Sequence, residues 1–355
     1  MGSYCGGAAA SERAGGGALV DVAKKIAEAV LYEGYLLWPY RRSSTKNQQR
    51  WTFGGVYPRA YSEARGGDDP WIMQTQCLVS GDEESTVEVK VRFLHVVERK
   101  VGVKSGENLE FVDELRVGGE LHLPWDEAAE REVAVGRFEF SELLGSLRGV
   151  KIDIPKGSRE EPLAEPTGEV VGALARSWRT LRGAVEVEAE LLQEGIFRVT
   201  VRITNTTPWG GEDRESTLKQ TFVSTHTALE IEGGEFVSLT DPPEELREAA
   251  QGCKNLKTWP VLVGEEGERN MLLSSPIILS DYPQIAPESP GDLFDGTEID
   301  QMLILNVLNL TDEEKEEMRA SDPRGREILE RCESLSPEEL MRLNGTFRDI
   351  RMLRG

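Results

Sequence analysis

Val185-Glu186-Val187-Glu188-Ala189-Glu190-Leu191, the turn Gln193-Glu194-Gly195, and Arg198-Val199-Thr200-Val201-Arg202-Ile203 decide the fold class of this chain. Apolar and charged residues alternate in both runs. That period belongs to a strand with one face buried and one in water. The short glycine-containing turn joins the runs as a hairpin. Val185, Val187, Ala189 and Leu191 are expected inside, with Val199, Val201 and Ile203. The outer faces carry Glu on one strand and Arg on the other, so charge pairing across the hairpin is expected.

The same signal extends outward. Val87, Val89, Val91 and Phe93 alternate with Glu88, Lys90 and Arg92. Further strands are expected near 71–78, 132–140, 149–154, 220–232, 259–263 and 271–279. There is no βαβ rhythm and no glycine-rich phosphate loop, which weakens a nucleotide-binding reading. The Pro-, Gly- and Glu-rich segment 155–176 reads as a loop or an internal boundary, and 241–256 as a short helix entered from Asp241-Pro242-Pro243. Residues 18–33 have helical spacing that Gly34 breaks. Beyond 291 the pattern turns helical: Thr311 with Glu314 and Ser336 with Glu339 form capping boxes, and Asp322-Pro323 is another start signal. The expected class is α+β: a mainly antiparallel β-sheet or sandwich core, an N-terminal helix and a C-terminal run of short helices. The expected organisation is a flexible tail (1–17), a β-rich domain with the N-terminal helix (18–290) and a helical segment (291–355).

Composition limits the function. The 355 residues carry 41 Lys+Arg against 63 Asp+Glu, a net charge of -22, which opposes general binding of nucleic acid or anionic lipid. No run approaches the ~18–20 apolar residues of a membrane span. The N-terminus lacks the basic and apolar regions of a secretory signal, so a cytoplasmic protein is expected. Cys5, Cys77, Cys253 and Cys332 lie far apart and form no CxxC pair. They read as reduced thiols, neither a zinc site nor a disulfide framework. His95, His122 and His226 read as core or surface histidines, since no pattern links them to a nucleophile.

Two segments depart from the average. From Tyr35 to Tyr61 there are five basic residues and no acid, and five of the seven tyrosines fall between 32 and 61. Arg beside Tyr and Trp is the composition of binding hot spots, although the same aromatics would serve in a core. The candidate partner-binding set is Tyr35, Tyr40, Arg41, Arg42, Lys46, Asn47, Arg50 and Trp51. The stretch 270–314 has no Lys, Arg or His. Its Asp281, Glu288, Asp292, Asp295 and Glu298 form a candidate second surface. Acids crowding a helix start complement its dipole, and their spacing is not that of an EF-hand, so no metal or other cofactor is expected. Opposite charge would let this stretch dock on the basic island, within the chain or across a homo-oligomer.

These segments also carry a resemblance. Tyr32 to Arg41 with Lys46-Asn47 and Arg50 to Gly54, Leu273 to Leu279, Pro287 to Asp295 with Glu298-Ile299-Asp300, and Leu310 to Lys315 together resemble a bacterial family encoded in nickel–iron hydrogenase gene clusters. These clusters are of the high-affinity, oxygen-tolerant type of actinobacteria and their relatives. The resemblance implies an accessory or maturation factor whose partner is a hydrogenase subunit or another maturation factor. It implies no catalytic residue. Nickel delivery would call for His clusters or a zinc knuckle, and an iron–sulfur carrier for grouped cysteines; the sequence has neither. Protein binding rather than catalysis is therefore the expected mode. An enzyme with its site between 40–50 and 281–300 is the alternative, and a self-associating scaffold is the next.

Overall fold

The structure, a computed structural model, describes residues 26, 30–32, 35–37, 39–44, 47, 53–66, 69–284 and 300–336. Helix α1 (Arg59–Arg65) precedes β1 (Ile72–Ser80), β2 (Thr86–Ser105), β3 (Asn108–Val112), β4 (Leu115–Val117), β5 (Glu120–His122) and β6 (Trp125–Glu139). The short α2 (Phe140–Leu143) leads to β7 (Arg148–Ile154), β8 (Gly157–Ala164), β9 (Val170–Trp178), β10 (Leu181–Gln193) and β11 (Ile196–Asn205). Next come α3 (Arg214–Leu218), β12 (Val223–Glu232), β13 (Glu235–Val237), a 3-10 turn (Glu244–Leu246) running into α4 (Arg247–Gln251), β14 (Trp259–Leu262) and β15 (Met271–Ser275). Helices α5 (Asp300–Leu308), α6 (Asp312–Ser321) and α7 (Pro323–Ser334) follow.

The hairpin that opened the reading forms β10 and β11. It lies in a five-stranded sheet ordered β13-β1-β11-β10-β7. The alternation works as expected from Val185 to Ala189: these apolar residues are buried, and Arg202 reaches Glu186 at 3.8 Å and Glu188 at 3.6 Å. Leu191 is a correction. A register shift between Leu191 and Gln193 turns it outward, and it is 46% exposed.

The second sheet follows the path β14-β15-β12-β2-β9-β8, with β3 and β6 also paired to β2. Every pairing between named strands is antiparallel. The two sheets enclose one apolar core. Val87, Val89, Val91 and Phe93 of β2 meet Val185, Val187, Val199 and Val201 there. Phe140 stacks on Phe197 with ring centres 4.6 Å apart, and Phe93 meets Phe222 at 4.7 Å. The segment 155–176 is the second correction. It holds β8 and most of β9, paired to each other as an edge hairpin. Most of β8 is exposed, so its Glu, Arg and Pro residues meet water as a loop's would.

Strand β2 positions everything else. Its alternation ends at Phe93, and Phe93-Leu94-His95-Val96-Val97 are buried without a break. A strand covered on both faces shows such a run. The second cover is helical: Leu94, Val96 and Trp125 pack against Ile304 and Val307 of α5, Met318 of α6, and Ile328 and Leu329 of α7. Thr311 and Glu314 form the expected capping box, and Asp322 caps α7 with Pro323 at its first position. Of the expected N-terminal helix, Ile26, Val30 and Leu31 are described and are helical. Ser336-x-x-Glu339 and the tail 1–17 reach outside the described residues.

Candidate functional site

The basic aromatic island folds down onto α6 and α7. Asn47 builds its loop. The Asn47 carboxamide accepts from the Leu37 N–H at 2.8 Å and donates to the carbonyls of Leu37 at 2.7 Å and Arg41 at 3.1 Å. The side chain thus replaces the backbone partners a short loop lacks. Tyr40 takes φ +58° within this loop. Arg41 pairs with Glu314 at 2.8 Å, and Glu317 accepts from the Ser43 N–H at 2.8 Å and the Ser43 hydroxyl at 3.0 Å. The Arg42 N–H donates to Ser321 Oγ at 3.2 Å.

Beneath the island lies the joint between α6 and α7. Arg99 caps the end of α6, donating through Nη2 to the carbonyls of Ala320 at 3.0 Å and Ser321 at 2.8 Å. It also donates to the Leu123 carbonyl and pairs with Glu127 at 2.9 Å. Glu127 in turn holds Arg176 at 2.6 Å. A cation fixed against the last carbonyls of a helix satisfies groups the helix itself leaves open. Asp322 does the reverse for α7. Its Oδ1 accepts the Arg324 N–H at 2.9 Å, and its Oδ2 accepts the Tyr35 hydroxyl at 2.5 Å and Trp125 Nε1 at 3.1 Å. Arg324 lies 3.4 Å from the ring centre of Tyr32. Burial and the hydrogen bond to Glu130 push the Tyr32 phenol up, against the pull of Arg324.

This changes the expected surface. Tyr35, Tyr40 and Asn47 are at most 5% exposed. Tyr35 and Tyr40 pack against the chain's own helices and Asn47 holds the loop together, so their rings and amide are not presented to a partner. Arg41 and Arg42 are half-buried. Lys46, Arg50 and Trp51 lie outside the described residues, as do Glu288, Asp292, Asp295 and Glu298. Asp281 accepts from Ser238 Oγ at 2.5 Å, the Leu262 N–H at 2.8 Å and the Thr240 hydroxyl, so it ties β14 to the loop after β13. No contact among the described residues brings Asp281 to Arg41 or Arg42.

A second constellation went unread in the sequence. His226 Nδ1 lies 2.8 Å from the Ser224 carbonyl, which can only accept, so Nδ1 carries the proton. Nε2 is then an acceptor for the Ser275 hydroxyl, 3.1 Å away. A separate set of hydroxyls centres on the neighbouring Ser274, which meets Thr75 at 2.8 Å and Thr258 at 2.7 Å. Burial drives the His226 imidazole down to about 4. Ser224 sits at φ +49°, and its hydroxyl and that of Thr227 are buried without partners. Two segments that carry the resemblance meet here. The Ser224 N–H donates to Phe53 O and the Thr225 N–H to Gly54 O. A Cβ at Gly54 would lie 2.6 Å from Pro276 Cγ, so this approach, at φ +58°, requires glycine. His226 is 2% exposed and Ser275 is fully buried. In this state the pair joins strands and is closed to a substrate.

Among the described residues no group of three or more His, Cys, Asp or Glu side chains is placed to hold a metal ion. Cys77, Cys253 and Cys332 are free thiols, and burial pushes each above its ordinary value. No described helix is long and apolar enough to cross a membrane. The sequence did mark Asp322 as a helix start, but not its second role. Arg99 was missed; its signal is a charge two residues past the run Phe93–Val97, apolar but for His95. No protein-family model matches the chain, and no curated protein matches it in sequence.

Proposed function

We propose that this protein is a cytoplasmic accessory or maturation factor for a nickel–iron hydrogenase, acting by binding protein. The family resemblance supports the hydrogenase part of this reading. One observation supports the binding part: where two resemblance-bearing segments meet, large apolar side chains stay in water. Phe53 is 38% exposed and Ile278 is 72% exposed, and Trp259, whose strand position pairs with Ser275, is 42% exposed. Trp259 is held on the edge strand β14 and so loses little freedom on docking, and Phe53 and Ile278 flank it from adjoining loops, an arrangement that suits the centre of an interface.

The test is affinity purification of the tagged protein from its native host, with partners identified by mass spectrometry. Hydrogenase subunits or maturation factors should be recovered with the wild type. Ile278→Asp and Trp259→Glu change exposed positions and should fold normally while losing those partners. Recovery of the same partners with both variants would move the interface elsewhere. A preparation without hydrogenase proteins would remove the proposed role.

A further inference from the structure

Away from that edge, a cavity of about 280 Å³ opens where β2, β5 and β9 face the joint of α6 and α7. Leu121, Leu174, Ala320 and Pro323 give it apolar walls, and six polar groups complete the lining. Most of these are already committed. Arg99 is balanced by Glu127, and Arg319 by Glu333 at 3.0 Å. Asp322 accepts its three hydrogen bonds from Tyr35, Trp125 and Arg324. Burial, with the charges of Arg99 and Arg326, lowers the His122 pKa, against the opposing pull of Glu120 and Glu161. Arg326 and Glu327 remain. Both are exposed, both line the cavity, and neither makes a side-chain ion pair or hydrogen bond among the described residues.

One uncompensated cation and one uncompensated anion over apolar walls make a specific demand. A simple anion would meet Glu327, and a simple cation would meet Arg326 and Arg319. A zwitterion satisfies both signs at once. The guanidinium matches a carboxylate in two parallel hydrogen bonds, and a carboxylate suits an ammonium group. The volume lies just below the usual range of ligand pockets, which calls for a small ligand. We propose that this cavity binds a small zwitterion with an apolar body, of the chemical class of aliphatic α-amino acids.

Calorimetric titration of the full chain with L-leucine tests this. Saturable binding is expected at concentrations up to roughly 10 mM, the range open to so small a ligand. Two controls keep the aliphatic body: 4-methylpentanoate lacks the ammonium group, and isoamylamine lacks the carboxylate. Each should bind about tenfold more weakly or worse, as should L-leucine to Arg326→Gln and to Glu327→Gln, since each change removes one charge-assisted contact. Both variants alter exposed side chains, and circular dichroism will show them folded. No saturable binding of L-leucine, L-valine or L-methionine would overturn the proposal. So would 4-methylpentanoate binding as tightly as L-leucine, or unchanged L-leucine binding in both variants.

Discussion

His95 and His226 are closed off from water, and burial drives both imidazoles down to about 4. In the unfolded chain each would titrate at about 6.5. Above that value both states are neutral, and the histidines add no pH dependence. As the pH falls from about 6.5 toward 4, only the unfolded chain takes up the protons, so stability is lost. At pH 5 the loss is on the order of 2 kcal/mol per histidine. His95 is the cleaner probe because neither ring nitrogen makes a well-formed hydrogen bond. His95→Leu should stay within about 1 kcal/mol of the wild type near pH 7.5, since the buried ring makes only a poorly aligned contact with the Arg179 backbone. It should also lessen the fall in stability between about pH 7.5 and pH 5 by about 2 kcal/mol. Urea midpoints at the two pH values measure this. An unchanged fall would mean that the folded His95 is solvated. The sequence left these histidines as core or surface; both sit in strand-like runs, and the structure buries them. The exposure of Leu191 was not, because a register shift leaves no mark on the alternation that precedes it.

Elements were legible where one face is dry and the other wet, as in β10 and β11. They were illegible at the two extremes. Strand β8 is wet almost throughout and has the composition of a loop. The middle of β2 is dry on both faces, so alternation stops just where the strand matters most. That central run carries the helical layer, and Arg99 closes it. Removing Arg99 would leave Glu127 facing Arg176 alone and would uncap Ala320 and Ser321. Breaking a buried charged network of this kind costs about 3–5 kcal/mol. The loss should fall on the α6–α7 joint. Hydrogen exchange of Arg99→Ala should therefore show protection falling in 35–47 and 300–336 while β10 and β11 keep theirs. Uniform loss across β10 and β11 would mean that Arg99 supports the sandwich itself.

At the scale of the whole molecule, three layers meet at β2: the eight-stranded sheet that contains it, the five-stranded sheet packed on one of its faces, and the helices with the island packed on the other. Composition divides the chain differently, into a β-rich body to 290 and a helical segment beyond it. The second core argues against cutting there. Leu94, Val96, Trp125, Leu218 and Val223 of the β-body share one buried cluster with Leu303, Ile304, Val307, Met318, Ile328 and Leu329. The rings of Tyr35 and Tyr40 lie in the same layer. Each large apolar or aromatic side chain returned to water costs roughly 1.5–3 kcal/mol, and a domain's whole margin is only about 5–15 kcal/mol. A chain ending at residue 299 should therefore fail to fold as a soluble β-domain. It should bind a hydrophobic dye strongly, lose the near-ultraviolet dichroism of its packed tyrosines and tryptophans, and associate on size exclusion. If it instead elutes as a monomer with native dichroism and no dye binding, the helices are a separate domain. The island would then have to be held by the sheet alone, which the contacts of Tyr35 with Asp322, Arg41 with Glu314 and Ser43 with Glu317 weigh against.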